Sequence, residues 1–69
     1  MPVPDLESRF TYHPPKPGQP ATYQGIRAAA LDFARLIDAE CPDSREKSLA
    51  ITSLEEAVMW ANASIARNG

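Results

Sequence analysis

The chain has 69 residues, a formal net charge of −2 and a mean hydropathy of −0.35, so one small domain is the most it can hold and bulk binding to a DNA or RNA polymer is disfavoured. One cysteine and one histidine leave no internal disulfide and too few ligands for a Cys/His zinc site. With no apolar run of membrane-spanning length and no basic-then-apolar leader, the expectation is a soluble cytoplasmic protein that gains stability by oligomerising.

Six of the seven prolines lie within the first twenty residues, so residues 1–20 read as an arm that no long helix can occupy. Pro4 to Arg9 can form one helical turn, and Pro14 to Pro20 should be extended. Within the arm, Phe10-Thr11-Tyr12-His13-Pro14-Pro15 heads a stretch with no acidic residue until Asp32. Alternate side chains of an extended chain share a face, which puts the Phe10 and Tyr12 rings together beside Arg9, His13 and Lys16. Flat rings next to unopposed cations suit a ligand with planar bases and negative charge.

The hairpin proper is expected over residues 21–68. Its first helix should begin near Ala21 to Tyr23, with Thr22 as a candidate N-cap, and end before Pro42. Tyr23, Ile26, Ala30, Phe33 and Ile37 form its apolar stripe, widened by Ala29 and Leu36. Pro42-Asp43-Ser44 resets the chain. Asp43, three residues before Glu46, offers a carboxylate version of the capping box, and Ser44 is a second candidate cap. The second helix should run from about Ser44 to Arg67 on a seam of Ile51, Leu54, Val58, Ala61 and Ile65. So short a connection forces an antiparallel αα-hairpin, and the fold class is all-α.

Leu49, Trp60 and Ala63 fall roughly opposite that seam, and Leu31 lies off the stripe of the first helix. A second apolar face calls for a second partner: either the arm folds over Trp60 or subunits pack there. Antiparallel pairing also brings Arg9, Lys16, Arg27 and Arg67 toward one pole. Seven acids between Asp32 and Glu56 are left toward the other. The start of the first helix adds the positive end of its dipole to the cationic pole.

Each candidate has a plainer alternative. Tyr12 either stacks on a base or packs on its own helices, and Phe10 suits a hydrophobic cap. His13 before two prolines fits a turn residue bonded to its neighbours. Arg27 serves a phosphate or a solvated interface, and Arg67 is favoured by the helix C-terminus alone. Cys41 reads as an inert end-of-helix residue. No nucleophile–base–orienter set can be assembled, so binding without a cofactor is the expected class rather than catalysis.

The order and spacing of several segments resemble a known family. They are Phe10 to Pro15, Tyr23 with Ile26-Arg27, Pro42 to Ala50, and Met59-Trp60-Ala61-Asn62-Ala63 followed by Ile65-Ala66-Arg67-Asn68. Together they are similar to the hairpin domain of the phage anti-CBASS protein 2 and Thoeris anti-defence proteins. The resemblance implies a hexameric helical hairpin in the infected bacterial cytoplasm that captures cyclic di- or trinucleotide messengers without cleaving them. It places base stacking on Tyr12 and a phosphate contact on Arg27, with Phe10, His13 and Lys16 around the same dinucleotide pocket. A second pocket, for cyclic trinucleotides, would involve Arg67 and Asn68. The alternatives are a sponge for the ADP-ribose-derived Thoeris signal and a helical protein–protein assembly module without a nucleotide.

Overall fold

The computed structural model describes residues 6–69, and every regular element among them is helical: α1 (Leu6–Arg9), α2 (Gln19–Glu40) and α3 (Arg45–Asn68). The expected N-terminal turn is present over Leu6–Arg9, while its first residues, Pro4 and Asp5, lie outside the described ones.

α2 begins earlier than the Ala21–Tyr23 start read from the sequence, which moves the arm–hairpin boundary from residue 20 to Gly18. Gly18 is the N-cap at φ 86°, a left-handed conformation that only glycine enters without a Cβ penalty. Pro20 then sits in the first turn, where its missing N–H is no loss and its φ is already helical. Thr22 is thus not the cap; its hydroxyl donates back to the Gly18 carbonyl at 3.2 Å. The extended stretch ends with a turn at Pro17-Gly18, short of the predicted Pro20.

At the other end of the hairpin, the Ser44 hydroxyl accepts from the Lys47 N–H at 3.1 Å and caps α3. Asp43 is drawn elsewhere. Its carboxylate takes the Lys47 ammonium at 2.8 Å, and the same ammonium reaches the Asp38 carbonyl at 2.8 Å and carboxylate at 3.0 Å. Lys47, with a side chain only 12% exposed, therefore neutralises the C-terminal end of α2 and ties it to the start of α3. The hydrogen bond to Lys47 holds the Asp43 carboxyl below the usual carboxylate range, and the bonds to Asp43 and Asp38 hold the Lys47 ammonium above the usual lysine range. A depressed acid stabilises the fold above its ordinary pKa and loses that contribution as pH falls through the depressed one. A raised lysine stabilises below its ordinary pKa and loses it as pH rises through the raised one. Lys47→Met should therefore lower the thermal midpoint at neutral pH, with the gap from wild type closing in strong acid. Equal midpoints at neutral pH would remove this staple.

α2 and α3 pack along the predicted α3 seam, with Ile51, Leu54, Val58, Ala61 and Ile65 all half-buried. On α2 the half-buried apolar set is Tyr23, Ile26, Ala30, Ala34 and Ile37. Phe33, read into that stripe, is 53% exposed. The half-buried stripe steps four residues from Ala30 to Ala34, and the Phe33 ring lines a groove beside the seam with Leu54, Ala57 and Ala61.

No described residue is fully buried. The Cα extents are 43 × 35 × 12 Å, a flat shape rather than the near-equal axes of a compact domain. The radius of gyration is 15.4 Å, against about 11 Å for a compact chain of this length. The accessible surface is 5692 Å², where a folded monomer of this mass exposes about 4,200 Å². The hairpin is a single layer with apolar grooves on both flanks of its seam. One is bounded by Phe33, Ala57 and Ala61, the other by Leu31, Ala34 and Ile51. Trp60 stays 64% exposed, its indole N–H donating to Glu56 Oε1 at 3.1 Å. The arm is fastened elsewhere.

Candidate functional site

Antiparallel packing sets the start of α2 beside the end of α3, and the arm is pinned there. The Lys16 ammonium donates to the Gly69 carbonyl oxygen. The Gln19 side-chain amide donates to the Ile65 carbonyl at 3.3 Å while accepting the Lys16 N–H at 2.9 Å. The Ile65 carbonyl thus accepts twice, from Gln19 and from the Gly69 N–H that caps α3 at 2.9 Å, and Lys16 places a cation at the negative end of the α3 dipole. Lys16, a sequence-level candidate for the ligand pocket, thus acts as a clamp on the hairpin. Its ammonium carries charge at the pole but is already engaged.

Arg27 lies in a groove of about 330 Å³ with Tyr23, Asn62, Ala63 and Ala66. The two alanines of α3 open a flat apolar floor beside the guanidinium. Asn62 Oδ1 is shut off from solvent there without a hydrogen-bond partner. Asn62 carried no signal as a site residue in the sequence: it stands one position off the seam, where an amide normally points to water.

Tyr12 and Phe10 are 79% and 83% exposed, and Tyr12 is not among the residues lining the Arg27 groove. Within a single chain neither ring lines the Arg27 groove or the pocket that holds Arg9 and Arg67. His13 is half-buried and its Nε2 donates to the Ser8 carbonyl at 2.8 Å, the turn-stabilising arrangement read as the plainer alternative. Arg67 and Asn68 meet Ser8 and Arg9 of α1 around a separate pocket of about 380 Å³. The Asn68 amide donates to the Ser64 carbonyl at 3.2 Å. Among the described residues no carboxylate side chain lines either pocket, whereas Asp38 and Asp43 line one at the opposite end.

A family model for the hairpin domain of Acb2/Tad1 matches residues 3–66. The chain belongs to the Acb2/Tad1 hairpin-domain family. No curated protein and no solved structure matches it. Membership accords with the resemblance read from the Phe10–Pro15 and Met59–Asn68 segments and with the helical hairpin just described. The Acb2/Tad1 family fits a phage anti-defence sponge role, that of a ligand-binding domain rather than a known enzyme. No helix among the described residues is long and apolar enough to cross a membrane.

Proposed function

We propose that this Acb2/Tad1 hairpin protein is a sponge for the cyclic di- and trinucleotide messengers of bacterial CBASS immunity. It acts in the cytoplasm of the infected host and leaves its ligand intact. The observation that carries this reading is the gathering of Arg67, Arg9 and Lys16 at one end of the hairpin and of Arg27 in a groove against the last turns of α3, while the rings of Phe10 and Tyr12 stand open to solvent. A cyclic dinucleotide presents two bases and two phosphates in a roughly two-fold arrangement. A two-fold interface between subunits would offer Tyr12 and Arg27 twice to one such ligand. That accounts for rings and cations that a lone chain leaves apart. Each stacked base contributes about 1–3 kcal/mol, and each charge-assisted phosphate contact about 1.5–3 kcal/mol. Phe10 frames that pocket, with His13 and Lys16 at its edge through the arm they hold in place, while Arg67 and Asn68 serve a trinucleotide pocket. Assembly is as a homo-oligomer, most simply a hexamer.

The ADP-ribose-derived Thoeris signal is the second reading, because the matching family model spans both branches. Calorimetric titration of the purified protein with cyclic dinucleotides, cyclic trinucleotides and that signal separates the two. Tight binding confined to the ADP-ribose-derived ligand would replace the CBASS assignment. Ligand recovered after denaturing the complex should have unchanged mass and should activate its effector again. Linear or cleaved product accumulating with time would reveal chemistry that sequestration does not include.

A further inference from the structure

Two arginines from opposite ends of the sequence line one pocket. Arg9 stands in the last turn of α1 and Arg67 in the last turn of α3. With Ser8 and Asn68 they line the same pocket. Each arginine alone is explained by its helix, since a cation is favoured at the negative end of the dipole. Their convergence is not. Like charges around a shared space repel, and an oxyanion between them turns that repulsion into two charge-assisted hydrogen bonds, with the Ser8 hydroxyl as a further donor.

The position of Arg9 depends on how α1 is held. A four-residue helix has too few backbone bonds to persist alone. His13 supplies the tether, its ring N–H reaching back to the Ser8 carbonyl at 2.8 Å. Lys16 and Gln19 then fix the base of the arm to the end of α3. The arm thereby returns α1 to the tip of the helix that carries Arg67.

We infer that Arg9 is the second cation of the Arg67 pocket, which grips a phosphodiester of the ligand from both sides, and that His13 is a positioning residue holding Arg9 there through Ser8. The ligand class rests on the sequestration reading; the two-cation geometry does not. The test is a calorimetric titration with cyclic tri-AMP, cyclic di-GMP and inorganic pyrophosphate at low and moderate salt. Arg9→Ala and Arg67→Ala should each weaken cyclic tri-AMP binding roughly ten- to hundredfold and flatten its salt dependence. Cyclic di-GMP binding should stay within about twofold of wild type, the size of change expected from an unrelated surface site. His13→Ala should weaken cyclic tri-AMP binding, and His13→Gln, which keeps a donor, should restore most of it with the sedimentation profile unchanged. Cyclic tri-AMP bound normally by Arg9→Ala but not by Arg67→Ala would overturn the role of Arg9. Equal losses in His13→Ala and His13→Gln would overturn that of His13. A wild-type protein that binds no cyclic oligonucleotide refutes the sequestration reading, and pyrophosphate then decides the pocket. Binding lost in both arginine variants upholds it, and no binding overturns it.

Discussion

Replacing Tyr12 with alanine should weaken cyclic dinucleotide binding by about 1–3 kcal/mol for each ring lost, or roughly twice that where a two-fold interface supplies the ring to both bases. The ring is 79% exposed in the single chain, so its removal leaves no cavity in the hairpin and folding should be untouched. Arg27→Ala should cost about 1.5–3 kcal/mol per phosphate contact, and the remaining affinity should respond less to salt because one charge pair is gone. Arg27 is exposed and lines a groove beside the seam with Ala63 and Ala66, so this change should also leave the assembly standing. Titrating both variants with a cyclic dinucleotide, alongside sedimentation to confirm the oligomer, measures the two effects separately. Unchanged affinity in both would remove these residues from the pocket even in a working sponge.

Trp60→Ala should weaken subunit assembly by about 3–5 kcal/mol, the range for truncating an enclosed aromatic ring. The ring is 64% exposed in one chain and uncovered by the described arm. Apolar grooves flank the seam on both sides of a flat hairpin, and nothing among the described residues is buried. A layer of this kind becomes stable when a second layer covers it. Sedimentation at micromolar concentration should find wild type as an oligomer of several subunits and Trp60→Ala shifted toward smaller species. A cooperatively folding wild-type monomer at that concentration would sink the assembly argument. A Trp60→Ala oligomer as tight as wild type would instead move the interface to the flanking grooves.

The elements legible in the sequence were those governed by local rules. Helical spacing placed Ile51, Leu54, Val58, Ala61 and Ile65 on one face of α3, and all five are in the seam. Ser44 was a candidate cap by residue type, and it caps. The short Cys41–Ser44 connection required antiparallel helices, which in turn brought the cations to one pole. The start of α2 was misjudged because a proline cluster suggests a continued arm, whereas Gly18 can turn left-handed and Pro20 then begins the helix.

Composition and periodicity by themselves determined a helical hairpin too small to bury a core, with charge separated along its length, since these depend on residue type and 3.6-residue spacing. Only the tertiary structure decided which long-range partners each side chain meets. Lys16 is drawn to the open carbonyl end of α3, and Lys47 to the end of α2. Ala34 is half-buried where Phe33 was expected, the Phe33 ring lining a groove beside the seam, and Arg9 comes to share a pocket with Arg67. Such partners sit where a packed backbone leaves unpaired carbonyls, space for a small side chain, or a cavity. Those are properties of helices in place, and no local pattern of residues carries them.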